Sequence, residues 1–202
     1  MCERIDIALF VQGYMKFLRK SGIPLPKTKI INLHQIENLY PVLAKLSRMP
    51  GFENVQKIRI VADGTHKRRD REHELYKAQM TTYLKEFADY DYYLFPYKSA
   101  AGNWRPGFME DLLIETLQED TSECCHYVSL RNIIDDFLLS TNNTRGRDNR
   151  FINHNRHVLC AYFAGTSKLV GMRVGDAADA GAFALGSEKF NDLKEMFEGL
   201  LD

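Results

Sequence analysis

Cysteine is scarce in this sequence, neither sign of charge is in excess, and no long apolar run occurs. Four cysteines in 202 residues are too few for a disulfide framework, and the adjacent pair Cys124-Cys125 is poorly placed to bridge with itself. The expectation is a reducing, cytoplasmic setting. Lys plus Arg and Asp plus Glu each total 27, so the formal net charge is zero. Global charge therefore gives no long-range pull toward nucleic acid or membrane, and any such binding has to come from local patches. No apolar stretch approaches the ~20 residues of a membrane helix, which sets a membrane partner aside. The opening residues Met1-Cys2-Glu3-Arg4-Ile5-Asp6 carry early acids and lack the layout of a signal peptide. A Walker loop, a Gly-x-Gly-x-x-Gly turn and a nucleophile elbow are all missing.

What is present is enough to build a core: 45% of residues are hydrophobic and 11% aromatic, and a chain of this length is expected to form one domain. Ile5, Leu9, Tyr14, Phe17 and Leu18 recur at roughly helical spacing, and Ser21-Gly22 before Pro24 ends that helix. Residues 28–33 read as a strand and 35–48 as a helix. The run Lys57–Ala62 is the most strand-like in the chain, stopped by Asp63-Gly64. A helix over 71–87 and a strand over 92–95 follow. Strands separated by helices imply a mostly parallel central sheet with crossover helices. Further on, 100–107 reads as a loop, 109–118 and 126–139 as helices, and 140–153 as an exposed polar loop. Helices are expected again over 157–164 and 188–201. The reading is an α/β fold in a single domain, 1–202. Residues 1–118 would carry the sheet and 119–202 a helical extension packed on it.

The sharpest local feature is a strand that ends in Asp63-Gly64-Thr65. In open parallel sheets, the loops beyond the carboxyl ends of the strands form the ligand crevice. An Asp there can coordinate Mg²⁺, which takes oxygen ligands and few carboxylates. The plainer reading is that Asp63 opens a turn or caps a helix. Glu3, just before the first helix, and Glu110-Asp111, at the start of a later one, could converge on Asp63. Alternatively they simply complement helix dipoles.

Taken in order along the chain, these segments resemble a Toprim-like family of unassigned role, related to the topoisomerase–primase type of nuclease domain. The resemblance rests on Glu3 with Asp6 and Phe10, the strand ending in Asp63, and Gly107-Phe108-Met109-Glu110-Asp111-Leu112-Leu113. It also draws on Val158 to Phe163, a Gly/Asp/Ala-rich turn at 175–181, and Phe190 to Lys194. It implies Mg-dependent phosphodiester chemistry on nucleic acid, with Asp63, Glu110 and Thr65 around the metal and Glu3 as general acid/base. Three departures weigh against that chemistry. Arg4 stands where the family has Gly after the early Glu, only two residues precede Glu3, and Thr65 replaces the second Asp of an Asp-x-Asp pair. The alternative is a catalytically inactive module of the same fold that binds nucleic acid or another protein. A third reading is a protein that binds or hydrolyses small phosphorylated molecules in the same crevice.

Two basic clusters bear on a nucleic-acid partner. Lys67, Arg68, Arg69 and Arg71 follow the acidic site but are interleaved with Asp70, Glu72 and Glu74, which suits a solvated loop. Arg145, Arg147, Arg150 and Arg156 form a second cluster whose neighbours are mostly neutral, with only Asp148 among the first three, and make the better phosphate-facing surface. Trp104 could stack on a base, or pack as a lid on the sheet. His154, His157 and Cys160 recur at three-residue spacing, with Cys124-Cys125-His126 as a source of a fourth ligand. No Cys-x-x-Cys pair supports zinc, however, and a thiol in an apolar helix is ordinary.

Overall fold

The computed structural model describes residues 1–64, 82, 89–98, 104–117, 124–144 and 154–200. In chain order the elements are α1 (Ile5–Lys20), α2 (Leu39–Leu46), β1 (Lys57–Ala62), β2 (Asp89–Leu94), β3 (Pro96–Lys98), β4 (Trp104–Pro106), α3 (Met109–Glu115), α4 (Cys124–Thr144), α5 (His154–Gly165), α6 (Val174–Asp179) and α7 (Asn191–Glu198). Mixed α/β architecture is as expected. Of the helix expected over 71–87, only Thr82 is among the described residues, and it is helical.

The sheet is smaller than the sequence pattern implies. Strands β1 and β2 pair in parallel, with Lys57 opposite Asp89 and Ala62 opposite Leu94. On the other side of β1, Cys2 forms parallel bridges to both Val61 and Asn32. Val61 N–H donates to the Met1 carbonyl and Glu3 N–H to the Val61 carbonyl. Cys2 N–H donates to Ile31, and Leu33 N–H to Cys2. The parallel order is thus 31–33, Met1–Cys2, β1, β2, and β1 is an interior strand. The strand expected over 28–33 is reduced to its bridge at Asn32. A separate antiparallel hairpin joins β3 and β4, so the expected loop 100–107 is in part a strand.

Alternation along β1 divides the core. Val61, with Tyr93 of β2, faces a large cluster that includes α1, α3, α5, α6 and α7. Ile58 and Ile60 face a smaller one with Leu33, Leu39 and Leu43, covered by Tyr90 and Tyr92. Period-two alternation delivers residues i and i+2 to one face, and helices cover both faces. The buried side of α1 is Ile7, Phe10, Val11, Tyr14, Met15 and Leu18, while Ile5 is exposed. Phe10 and Tyr14 sit among Phe95, Phe190 and Phe197 with ring centroids 5.5–6.2 Å apart.

Helix α1 closes as its sequence predicts. Gly22 takes φ 83°, and Ile23 N–H reaches back to the Leu18 carbonyl, an ending that favours glycine because the left-handed region costs it nothing. Helix α6 occupies a stretch that reads as a turn. Its Gly175 lies directly on α1, where an added Cβ would run into the Leu9 carbonyl, and a Cβ on Gly13 would stand 3.0 Å from the Gly175 oxygen. The expected helix 109–118 stops at Glu115, that over 126–139 runs from Cys124 to Thr144, and the last is a 3₁₀ turn, Glu188–Phe190, followed by α7.

Candidate functional site

Three chain ends meet at the carboxyl edge of β1. Glu3 and Arg4 lie where the Met1–Cys2 bridge passes into α1, Asp63 follows β1 directly, and Glu110 sits in the first turn of α3. The three acids proposed from sequence are therefore brought into one cluster. The Asp63 N–H donates to Glu3 Oε2 at 2.8 Å. Asp63 Oδ1 accepts the Met109 N–H at 2.7 Å, so this carboxylate serves one of the unpaired amides of the α3 N-terminus. Asp111 does the same from within the helix, accepting the Phe108 N–H at 2.8 Å. Asn155 of α5 donates to the other Asp111 oxygen at 2.7 Å.

The centre of the cluster is a residue that sequence reasoning noted only as a departure. Arg4 donates through Nε to Asp63 Oδ2 at 2.7 Å and through Nη2 to Glu110 Oε2 at 2.7 Å. Its Nη1 reaches Asp6 Oδ2 at 3.1 Å, and that same oxygen receives Arg156 of α5 at 3.0 Å. All three guanidinium nitrogens are engaged, each by a different carboxylate. The pairs are well shielded: side-chain exposure is 19% for Arg4, 10% for Asp63 and 2% for Glu110. The backbone of Arg4 is extended, φ −136° and ψ 165°, a conformation open to any residue. Nothing in the main chain therefore requires the glycine that the resemblance leads one to expect.

Burial shapes the acid–base character of the group. It raises the Glu3 carboxyl to about 7, with the Asp63 N–H and Arg4 pulling downward and the Asp63 charge pushing up. Burial also pushes Asp63 upward, against the guanidinium and the hydrogen bonds that it accepts. For Arg4, burial works against the charge, but Asp63 and Glu110 outweigh it and hold the guanidinium above its ordinary value. A carboxyl that titrates near neutrality suits proton transfer. A desolvated acid in a structural network titrates there too.

The donors do not fit a divalent cation as they stand. Both Asp63 oxygens accept strong hydrogen bonds, and Glu110 Oε2 is bound to the same guanidinium that holds Asp63. Among the described residues, no group of three or more His, Cys, Asp and Glu side chains is arranged to hold a metal. The zinc candidates His154, His157 and Cys160 do share α5. Cys160 is exposed, and partial burial of its sulfur raises the thiol pKa. Thr65, Arg68, Arg145, Arg147 and Arg150 lie outside the described residues. Trp104 opens β4 opposite Lys98, in a strand and not in a loop. No helix among the described residues is long and apolar enough to cross a membrane. No protein-family model, no curated protein and no solved structure matches the chain.

Proposed function

We propose that this chain is a Toprim-like domain working as a non-catalytic binding module, with nucleic acid as its partner. The observation that supports this reading is the Arg4 guanidinium lying between Asp63 and Glu110 at 2.7 Å from each. Metal-assisted phosphodiester chemistry needs carboxylates that hold a cation close to the reacting phosphoryl oxygens. Here those carboxylates pair with a fixed side chain of the same protein and tie β1, α1 and α3 together. Affinity for nucleic acid would then come from arginines outside this cluster, with Arg145, Arg147 and Arg150 as the first candidates from sequence.

A second reading, Mg-dependent cleavage of nucleic acid, is favoured by one observation: Glu3, Asp63 and Glu110 do share a cluster, and Glu3 titrates near neutrality. One experiment separates the two. End-labelled single- and double-stranded DNA and RNA are incubated with the protein in Mg²⁺ and in Mn²⁺, and binding is measured at two salt concentrations. The module reading expects binding that weakens with salt and no cleavage. Replacing Arg145, Arg147 or Arg150 by Ala should flatten the log K against log[salt] slope by about 0.7 to 0.9 for each phosphate left unneutralised. Cleavage abolished by Asp63→Asn would give the case to the second reading. Absence of both binding and cleavage would leave a protein partner.

A further inference from the structure

We infer that Arg4 is the permanent cation of this site: its guanidinium holds the position between Asp63 and Glu110 that a divalent ion would need, and keeps such an ion out. This rests on the Toprim-like reading for the expectation of a metal. Its physical case stands on the geometry alone.

Three features carry it. First, the guanidinium presents separate nitrogens to separate carboxylates, Nε to Asp63, Nη2 to Glu110 and Nη1 to Asp6. It therefore gathers acids from three chain segments, as a multidentate ion does. Arginine suits this because its charge is delocalised over a rigid fork that is only weakly hydrated. Second, the site is shielded. Two ionised carboxylates this buried are costly unless a cation stays with them, so as long as they are charged the position calls for positive charge. Third, the two cations are mutually exclusive. Mg²⁺ binds oxygens at about 2.1 Å and demands near-octahedral geometry. The planar guanidinium fills the space between the same two oxygens and would face the ion with like charge.

The consequence is an exchange. A protein lacking the guanidinium keeps the acids and the fold that collects them, and its ionised carboxylates gain by taking a cation from solution. Arg4→Ala removes the guanidinium without adding backbone freedom, and Arg4→Gln keeps a neutral donor at similar length. Both are compared with the wild type by thermal unfolding and by calorimetric titration with Mg²⁺ and Mn²⁺, against monovalent salt of matched ionic strength. The expected result is a wild-type midpoint indifferent to the divalent ion. Both variants should start lower, rise with the ion and bind it stoichiometrically, and lose that response when Asp63→Asn is added.

A wild type that binds the ion, or variants that gain no affinity, would overturn the inference. So would variants that remain unfolded even when refolded with the ion present. The module reading fails by a different sign, cleavage of nucleic acid by the wild type. A wild type that takes up Mg²⁺ and cleaves nothing would sink the inference and leave that reading standing.

Discussion

Helix α1 serves two regions built on opposite principles. Around its first turn, Arg4 and Asp6 join Asp63, Glu110 and Arg156 in a network where each partner is fixed by direction and distance. Two to three turns further on, Phe10 and Tyr14 enter an aromatic cluster where ring planes meet at angles from 14° to 65°. The aromatic end is held by area removed from water and by dense packing, which are non-directional. At the charged end, Asp63 and Glu110 have given up most of their hydration and are kept there by specific donors, the Arg4 guanidinium first. The first should respond to volume, the second to charge and to pH.

The largest effect is expected at the aromatic end. Phe10 is fully buried, and Phe10→Ala should cost about 3–5 kcal/mol, read as a lower denaturant midpoint with an unchanged slope. Phe10→Leu should recover much of it. At the charged end, Glu110→Gln keeps the shape and removes the charge. Its loss should be about 1.5–3 kcal/mol, the range for a hydrogen bond to a charged group. A double-mutant cycle with Arg4→Ala should show strong coupling, and additive losses would deny that the pair acts as a unit.

Of the two ends, the charged one carries the pH response between 4 and 8. With Glu3 raised from 4.5 to about 7, the folded state holds a proton that the unfolded state has released, so stability falls as pH rises through that window and is level above it. Unfolding measured from pH 4 to 8 should show this slope, and Glu3→Gln should flatten it while Phe10→Leu leaves it intact. The smallest effect is expected at the surface. Lys189 and Glu115 pair at 2.8 Å but are each about one-third exposed, and Lys189→Ala should change stability by roughly 0.2–1 kcal/mol, less at high salt.

Legibility in the sequence followed the same division. Apolar runs with an abrupt stop read well: β1 occupies Lys57–Ala62 as expected, and α1 spans Ile5–Lys20. Each is fixed by its own periodicity and by a Gly-containing ending. The strand over 28–33 misread because an apolar run does not itself show how much of it finds a ladder partner, and here only Asn32 bridges, to Cys2. Helix α6 misread because Gly175 and its Asp and Ala neighbours resemble a turn. There glycine serves the close approach to Leu9 of α1, which only the fold supplies. At the site, the order of Glu3, Asp63 and Glu110 was enough to bring the three acids together on paper. The role of Arg4 was not, because a substitution away from glycine reads as damage to a motif. That it contributes the opposite charge becomes visible only when its side-chain reach of Asp63 and Glu110 is known. An arginine next to an acid, at the N-cap of the first helix, was the available signal.

The glycine crossing of α1 and α6 has a mechanical consequence for the charged end. Leu9, which Gly175 abuts, stands five residues after Arg4 along the same helix, about 7.5 Å at the usual rise per residue. With backbone set against backbone there, the helix has a fulcrum, and its first turn is the tip of a lever. A side chain added at Gly175 would lift α1 at the fulcrum and swing the tip away from β1 and α3. The guanidinium would lose its carboxylates although no residue near them had changed. The aim of the Arg4 guanidinium is thus tied to a helix crossing that lies outside the charged cluster.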